Sequence, residues 1–212
     1  YADGRHGLLV VLQAIDGGGK DSTIRHVASA FNPQGCTVTA FKAPSAEELR
    51  HDFLWRVHGR VPARGEVGIF NRSHYEDVLV VRVDSLVPKP VWQQRYEQIN
   101  AFERQLVQAD IRIVKIFLHI SRDEQKQRFE ERLEDPRKRW KFDPTDLRKR
   151  AQWNDYARAY EDMLRRCSTA AAPWYVVPAN RKWLRDLAVA RILLDAMEGM
   201  PLKWPKPKYD PR

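Results

Sequence analysis

Five short runs of apolar, largely β-branched residues alternate with longer helical patterns along the chain. The runs occupy residues 8–15, 36–41, 67–70, 111–120 and 174–177. Apolar runs of this length are typical of strands that are buried on both faces of a parallel sheet. Strands that alternate with helices need crossover connections, which place helices on both faces. The sequence therefore predicts an α/β fold with a doubly wound, five-stranded parallel sheet.

Polar residues mark where several helices begin. Three Ser-x-x-Glu sequences have the spacing of a capping box, and one Asp-Pro pair places an N-cap before a first-turn proline; these are Ser45 with Glu48, Ser73 with Glu76, Ser121 with Glu124, and Asp143 with Pro144. In the last helix apolar residues recur on one face, at Leu187, Ala190, Leu194 and Met197. We expect tryptophans at helical positions to be core residues, namely Trp55, Trp92, Trp153 and Trp183.

The stretch AIDGGGKDST, residues 14–23, follows the first strand and opens the first helix. Its glycines, Gly17, Gly18 and Gly19, let backbone N–H groups approach phosphate oxygens at a helix N-terminus, and Lys20 adds a positive charge. The usual pattern is G-x-x-x-x-G-K-[ST]. Here Ala14 replaces the first glycine and Asp21 replaces the magnesium-binding hydroxyl, which Ser22 would supply one residue later.

Asp16 lies inside this loop. A carboxylate beside bound phosphates is unfavourable unless a cation lies between them, so we infer a magnesium-binding role for Asp16. The alternative is a glycine-rich turn in which Lys20 is simply solvated.

The third strand ends in FNRSHYED, residues 70–77, at the sheet edge where doubly wound folds bind ligands. Arg72 is the expected phosphate contact there. Asn71 is at best a neutral ligand, and Glu76 either completes the capping box with Ser73 or faces the metal. Asp77, the next residue, is a further candidate acid. From the second strand, Lys42 reaches the same rim. No acidic partner completes a metal site with His51 and His58, so both histidines are expected to pack.

The segment DPRKRWKFDPTDLRKR, residues 135–150, interrupts the helical pattern after the fourth strand. Nucleotide kinases carry a mobile lid at this position, which closes over phosphates. We predict a lid whose cations hold a polyanion near Trp140, the alternative being a solvated loop. Its cations are Arg137, Lys138, Arg139, Lys141, Arg148, Lys149 and Arg150.

The composition narrows the class of protein. A formal net charge of +9 indicates an anionic partner. The two cysteines, Cys36 and Cys167, have no metal-ligand spacing and suggest neither a disulfide framework nor a zinc site. No apolar run reaches 18 residues, so we expect a soluble, cytoplasmic protein with no membrane partner. We expect one domain over residues 1–198 and a Pro- and Lys-rich tail, 199–212, that runs over the surface as an extended strap.

Several segments together resemble the polyphosphate kinase 2 family, in order and over nearly the whole chain. They include LQAIDGGGKDSTIRHV, FKAPSAEELRHDFLWRVH, GIFNRSHYEDVLVVRV and FLHISRDEQKQRFEERLEDPRKRWKF. The resemblance implies a P-loop kinase-like, thymidylate-kinase-like fold with a helical lid. It also implies reversible, Mg²⁺-dependent phosphoryl transfer between inorganic polyphosphate and nucleotides (AMP to ADP, ADP to ATP), with Mn²⁺ as an alternative ion.

By motif position, the resemblance gives Asp16, Lys20 and Arg72 the phosphate and metal roles and makes Arg137 to Lys141 the lid. With Asn71 where relatives have aspartate, the segment FNRSHYED resembles the subgroup of the family that accepts both AMP and ADP. The family's second carboxylate is then missing at position 71, and Glu76 is its possible substitute. Gly17 and Gly18 stand where relatives often have alanines, which would loosen the loop.

Two other functions compete with this interpretation. An ATP-using nucleotide kinase would share the fold. A nucleic-acid-binding protein with a vestigial loop would share the basic charge, but no motif that reads DNA or RNA is present, so we expect no nucleic-acid partner. We expect a homo-oligomer.

Overall fold

The computed structural model describes residues 1–206 and Tyr209. Its five strands are β1 (Gly7–Gln13), β2 (Cys36–Ala40), β3 (Val67–Asn71), β4 (Ile111–His119) and β5 (Trp174–Pro178). All pairs are parallel, and the order across the sheet is β2-β3-β1-β4-β5. The predicted five-stranded α/β fold is therefore confirmed.

Burial differs between the centre and the edges of the sheet. All seven residues of β1 are buried. The expectation that every strand is buried on both faces is wrong for β2, which has no buried residue, and for β5, where Val176 is exposed. Both are edge strands, so they have a neighbouring strand on one side only.

Helices cover both faces of the sheet. They are α1 (Lys20–Ala28), α2 (Trp55–His58), α3 (Val80–Val83), α4 (Lys89–Gln108), α5 (Arg122–Glu134), α6 (Thr145–Ala151), α7 (Trp153–Cys167) and α8 (Lys182–Glu198). One apolar core joins Leu9 and Val11 of β1 to α4 and α7. The other joins the alternate β1 residues Leu8, Val10 and Leu12 to α1 and α8. This alternation is the period of two expected for a strand covered on both faces.

The predicted capping boxes differ in outcome. Ser45 and Glu48 form a reciprocal box, because each backbone N–H donates to the other side chain, at 2.7 and 3.2 Å. Ser121 accepts from the Glu124 N–H at 3.1 Å, but its own N–H donates to Asn180, so only half the box forms.

The prediction of a third capping box, Ser73 with Glu76, is wrong. Ser73 accepts from the Tyr75 N–H at 3.2 Å, and the Glu76 carboxylate points instead toward Arg72. Asp143 accepts from the Thr145 N–H at 2.8 Å, as expected of a cap, and the helix begins one residue later than predicted.

The segment after β2 does not form one continuous helix. A 3₁₀ turn, Glu48–Arg50, is followed by α2. His51 stacks on Trp55 with ring centroids 4.1 Å apart, and His58 meets the edge of Phe102, as expected of packed histidines. His51 Nε2 also lies 3.3 Å from Glu47 Oε1 at the surface.

Most of the apolar line predicted on the last helix faces away from the core, and of its four residues Met197 packs partly against the core. Leu187 and Leu194 are exposed, and the fully buried apolar residues of α8 are Val189, Leu193 and Ala196. Trp55 and Trp183, expected in the core, are also exposed.

The tail lies against the N-terminal segment. Lys203 N–H donates to Asp3 at 2.9 Å, and Arg5 donates to the Pro201 carbonyl at 3.3 Å. Residues 201–206 are exposed and have no regular secondary structure; residues 207, 208 and 210–212 of the predicted strap lie outside the described residues. No helix in the described part of the chain is long and apolar enough to cross a membrane.

Candidate active site

The glycine loop leaves the carboxyl end of the central strand, where connections to the two halves of the sheet diverge. Gly19 has φ +96°, a left-handed conformation that favours glycine. At Gly18 an added Cβ would lie 2.5 Å from the Ala14 Cβ and 2.9 Å from the Ile15 carbonyl oxygen. With this backbone, an alanine at position 18 would require the loop to shift, so the glycine allows a tight turn.

Lys20 is the first residue of α1 and folds back over the loop. Its Nζ donates to the Ala14 carbonyl at 2.9 Å. Burial lowers the pKa of Lys20, although Asp16 and Glu76 act in the opposite direction. Ser22 is exposed and its hydroxyl donates to the Gly19 carbonyl at 2.9 Å.

Asp16 is held between two cations from distant parts of the chain. Its Oδ1 accepts from Arg72 Nη2 at 2.7 Å and its Oδ2 from Lys149 Nζ at 3.0 Å. Burial acts to raise the pKa of Asp16, but Lys20, Arg72 and Lys149 outweigh it and hold the pKa at about 2. Asp16 is therefore a carboxylate at any physiological pH.

Arg72 occupies the turn that follows β3. Its φ of +62° is left-handed, a conformation that costs about 1–2 kcal/mol for a residue with a side chain. Its N–H donates to the Leu12 carbonyl of β1 at 3.1 Å. The guanidinium thus reaches both Asp16 and Glu76, whose Oε2 lies 3.6 Å from Nη1. Burial acts to lower the pKa of Arg72, but Glu76 and Asp16 hold it above its ordinary value.

A cavity of about 20 Å³ lies beside these charges. It has room for about one water molecule or ion. Its lining includes Asp16, Arg72, Glu76, Lys149, Tyr156 and Tyr160. No group of three His, Cys, Asp or Glu side chains within the described residues would hold a metal by itself.

Asn71 donates a hydrogen bond to Asp21 at 2.8 Å, so the carboxyl end of β3 is joined to the start of α1.

Asp77 does not face the cavity; it pairs with Arg95 at 2.7 Å. Burial raises the pKa of Asp77 to about 6, against the opposing effect of Arg95. Lys42 is exposed, and its carbonyl accepts from Arg56 at 2.9 Å.

Three of the predicted lid cations, Arg137, Lys138 and Lys141, do not contact the glycine loop. Arg137 and Lys138 both pair with Asp135, at 3.2 and 3.1 Å, and Lys141 lies over the Trp140 ring. The residue of this segment that reaches the loop is Lys149, through Asp16.

The back of the loop is held by residues that sequence reasoning missed. Arg128 of α5 donates to the Gly17 carbonyl at 2.8 Å and to the Ala179 carbonyl at 2.5 Å. Gln125 donates to the Asp16 carbonyl at 2.7 Å, and the buried guanidinium of Arg185 lies against Gly19. The sequence does not indicate that these residues contact the loop. Arg128, for example, stands four positions after Glu124, which predicts only the ordinary i,i+4 ion pair that it also forms.

Comparison with known proteins places the chain among phosphotransferases. Residues 1–204 match the family model described as polyphosphate kinase 2. The chain belongs to the polyphosphate kinase 2 family. A Meiothermus ruber protein named AMP/ADP-polyphosphate phosphotransferase is 55% identical over 208 residues, which are 98% of this chain and 78% of that protein. The ADP-polyphosphate phosphotransferase of Rhodopseudomonas palustris is 46% identical over 218 residues, which cover 97% of this chain and 75% of that protein.

The crystal structure of polyphosphate kinase 2 from Arthrobacter aurescens TC1 superposes with a TM-score of 0.97 at 48% identity. The match covers 99% of this chain and 76% of that one. The family, the P-loop kinase fold and the enzyme class predicted from the sequence, a polyphosphate-dependent kinase, are thus confirmed.

A buried polar cluster underlies the active-site turn of this polyphosphate kinase 2 family member. Lys115 Nζ of β4 lies 2.5 Å from Glu103 Oε2 of α4 and donates to the Cys167 carbonyl at 2.6 Å. Tyr75 Oη donates to Glu103 at 2.7 Å, and His74 Nε2 lies 3.3 Å from the same carboxylate. The cluster therefore anchors the two residues between Ser73 and Glu76.

Proposed function

We propose that this chain catalyses reversible, magnesium-dependent phosphoryl transfer between inorganic polyphosphate and AMP or ADP, which would interconvert AMP with ADP and ADP with ATP. The observation that carries the proposal is the position of Asp16 at the glycine loop, within reach of Lys20, Arg72 and Lys149. The use of both nucleotides rests on Asn71 at the end of β3 and on the name of the Meiothermus ruber relative.

Phosphoryl transfer needs alignment and charge neutralisation more than covalent chemistry. The loop N–H groups at Gly17, Gly19, Asp21 and Ser22 are suited to cradle phosphate oxygens. The Gly18 N–H instead donates to the Ile15 carbonyl at 2.9 Å and closes the turn of the loop. Lys20 and Arg72 would stabilise the charge on the transferring group, and Lys42 on the rim is a further phosphate contact. The nucleophile is a nucleotide phosphate oxygen, already ionised at neutral pH, so no strong general base is needed.

The donor set fits magnesium. Mg²⁺ is usually held by one or two carboxylates together with water and substrate phosphates. Asp16 and Glu76 supply two carboxylates at one small cavity, which matches this pattern, and Mn²⁺ would suit the same oxygens. Bound there, the ion would offset the negative charge of the phosphates. Asp77 is engaged with Arg95 and is the weaker candidate.

We further propose that residues 135–150 act as the lid of a single kinase domain that spans residues 1–198. In support, Lys149 already bonds Asp16 across the site, and most cations of the segment are exposed. Arg137, Lys138 and Lys141 would then hold the polymer outside the loop. A cytoplasmic location agrees with nucleotide substrates.

The direct test is a comparison of phosphoryl donors. The protein is incubated with Mg²⁺ and AMP, and either long-chain polyphosphate or ATP is added at equal phosphate concentration. The proposal expects ADP, then ATP, to form with polyphosphate as donor. ADP formed with ATP alone would instead identify an ATP-using nucleotide kinase. A third arm with RNA tests nucleic acid as partner, for which we expect no saturable binding at 0.15 M salt.

Glu76→Gln is expected to lower kcat by about 10-fold or more, because the amide cannot replace a charged oxygen ligand or the partner of Arg72. The melting temperature should change little, since Glu76 forms no capping bond. Steady-state rates and thermal unfolding check this. Glu130→Gln, an exposed residue of α5, is the matched control. Equal rates for both variants would remove Glu76 from the site.

Neutralising Arg137, Lys138 and Lys141 together is expected to raise the KM for long polyphosphate far more than the KM for AMP or ADP. A polymer with about one negative charge per internal phosphate needs several cations beyond the loop. Added salt should mimic the change, because it screens the same exposed charges.

The control for the triple variant removes three exposed cations elsewhere that are also paired with acids, namely Lys126, Arg158 and Arg165. An equal loss of affinity for polymer and nucleotide would make the segment a general closure element. No change in either KM would contradict the lid proposal and leave a solvated loop.

A further inference from the structure

Both oxygens of the Asp16 carboxylate already have a cationic partner. Lys149 Nζ of α6 lies 3.0 Å from Oδ2, and the two side chains are largely buried, with 21% and 17% of their surface exposed. Arg72 Nη2 lies 2.7 Å from Oδ1. The cavity beside them has room for about one ion. A divalent ion that binds Asp16 therefore enters between two cations, and one of them must move.

Arg72 is the partner that is held in place. Its backbone N–H donates to the Leu12 carbonyl of β1 at 3.1 Å, and its turn has a left-handed φ of +62°. Its guanidinium also lies 3.6 Å from the carboxylate of Glu76. Moving this guanidinium away from Asp16 would break the second pair or rearrange the turn, so Arg72 stays.

Lys149 is the partner that is free to move. A lysine ammonium is a point charge on a flexible four-carbon stem, so it can shift while its backbone stays fixed. The helix that carries it has other contacts with α5, because Arg150 donates to Gln125 Oε1 at 3.1 Å and Asp146 pairs with Arg132 at 3.3 Å. Helix α6 can therefore remain docked when the Lys149 ammonium leaves the carboxylate.

The charges around the cavity determine where that ammonium goes. Beside a divalent ion, Lys20 and Arg72, a further cation is repelled unless an anion lies between them. The anion that the proposed function brings to the glycine loop is a phosphate chain. An oxygen of that chain would give Lys149 the negative partner that it loses at Asp16.

We propose that Lys149 is a catalytic lysine that exchanges partners, from the Asp16 carboxylate to a phosphate oxygen at the glycine loop when the metal binds Asp16. This inference rests on the proposed function and deepens it. Arg137, Lys138 and Lys141 would hold the polymer outside the loop, whereas Lys149 would contact the phosphates at the loop itself. Lys149 then acts in two opposite directions: it competes with a metal that binds alone, and it strengthens the binding of phosphate.

Mn²⁺ binding to the protein without substrates tests the competition, with the electron paramagnetic resonance signal of free Mn²⁺ as the readout. Lys149→Met is expected to lower the dissociation constant for Mn²⁺ by about threefold or more, because Asp16 is then no longer occupied by the lysine for most of the time. Lys149→Arg keeps the cation and should bind Mn²⁺ no more tightly than the wild type does.

The matched control for metal binding is Arg148→Met, which removes an exposed cation from the same helix. Its dissociation constant for Mn²⁺ should stay within about twofold of wild type, because solvent and salt screen an exposed charge. A Lys149→Met protein that binds Mn²⁺ as weakly as the wild type would overturn the exchange. Equal tightening in Lys149→Met and Arg148→Met would overturn it too, since the effect would then be general electrostatics.

Tripolyphosphate binding tests the other direction, by calorimetry at saturating Mg²⁺ and without nucleotide. Lys149→Met is expected to raise the dissociation constant for tripolyphosphate by about 10-fold, the effect of losing one hydrogen bond to a charged group. Lys149→Arg should restore most of the affinity. A lysine that only supports the structure would not tighten one ligand and weaken the other, so unchanged tripolyphosphate affinity would contradict the proposal.

Asp16→Asn separates this proposal from the proposed function. It is expected to weaken Mn²⁺ binding both in the wild-type background and together with Lys149→Met. If Asp16→Asn left Mn²⁺ binding unchanged, Asp16 would not be the metal carboxylate, and the metal site of the proposed function would fail together with the exchange. If Asp16→Asn weakened Mn²⁺ binding but Lys149→Met did not tighten it, the exchange alone would fail.

Discussion

Lys20→Ala is expected to lower kcat by about 10²–10³-fold, the effect usual for removing one preorganised group that stabilises transition-state charge. The ammonium lies at the glycine loop and bonds the Ala14 carbonyl, and it forms no part of either apolar core. Far-UV circular dichroism and the melting temperature should therefore remain close to wild type. Steady-state kinetics of ADP formation from AMP and polyphosphate measure the loss.

The matched control for this variant is Arg25→Ala, which removes a positive charge from an exposed position on the same helix. It tests whether the overall charge near α1, rather than the position of Lys20, controls the rate. A Lys20→Ala enzyme that retains wild-type kcat would remove Lys20 from the mechanism. Equal losses in the two variants would assign the effect to general electrostatics.

Glu103→Gln is expected to lower the free energy of unfolding by about 3–5 kcal/mol, because it leaves Lys115 charged and without a countercharge in the core. Burial lowers the pKa of Lys115 against the opposing effect of Glu103, and the loss of that carboxylate would lower it further. Urea unfolding at neutral pH gives the change directly.

Two further variants separate the ion pair from general disturbance. Glu161→Gln breaks an exposed pair with Arg165 and should cost less than about 1 kcal/mol. The double variant Glu103→Leu with Lys115→Met should recover part of the loss, because it removes both buried charges. If Glu103→Gln cost no more than Glu161→Gln, the buried pair would not contribute to stability.

The sequence predicted what depends on local pattern. The runs that form β1, β3 and β4 are apolar enough to be identified as buried strands from the residue types alone. Asp16, Lys20 and Arg72 follow the ends of strands, and the carboxyl ends of parallel strands meet at one edge of the sheet. Their proximity follows from the fold class alone. The recognition of the family rested on the same motifs.

The sequence did not predict contacts that depend on tertiary packing. Lys149 reaches Asp16 over 133 positions of sequence, and Arg128 reaches Gly17 over 111. A local pattern gives no information on such pairs. The Glu76 capping box failed because the left-handed turn at Arg72 brings the arginine, rather than the Ser73 N–H, to the carboxylate.

The outward face of α8 shows a different limit. Periodicity identifies an apolar line on a helix, but it does not say which of two apolar lines faces the sheet. In this chain Val189 and Leu193 occupy the inner line, and Leu187 and Leu194 the outer one.

The central claim is that Asp16 serves as the magnesium carboxylate of a polyphosphate-dependent transfer. The most direct test is a magnesium titration of ADP formation from AMP and polyphosphate, run side by side for wild type and Asp16→Asn. The wild type should form ADP with saturable dependence on Mg²⁺, and the variant should show a much lower kcat and a half-maximal rate at clearly higher Mg²⁺. Coincident titration curves, or ADP formation that needs no divalent ion, would contradict the account.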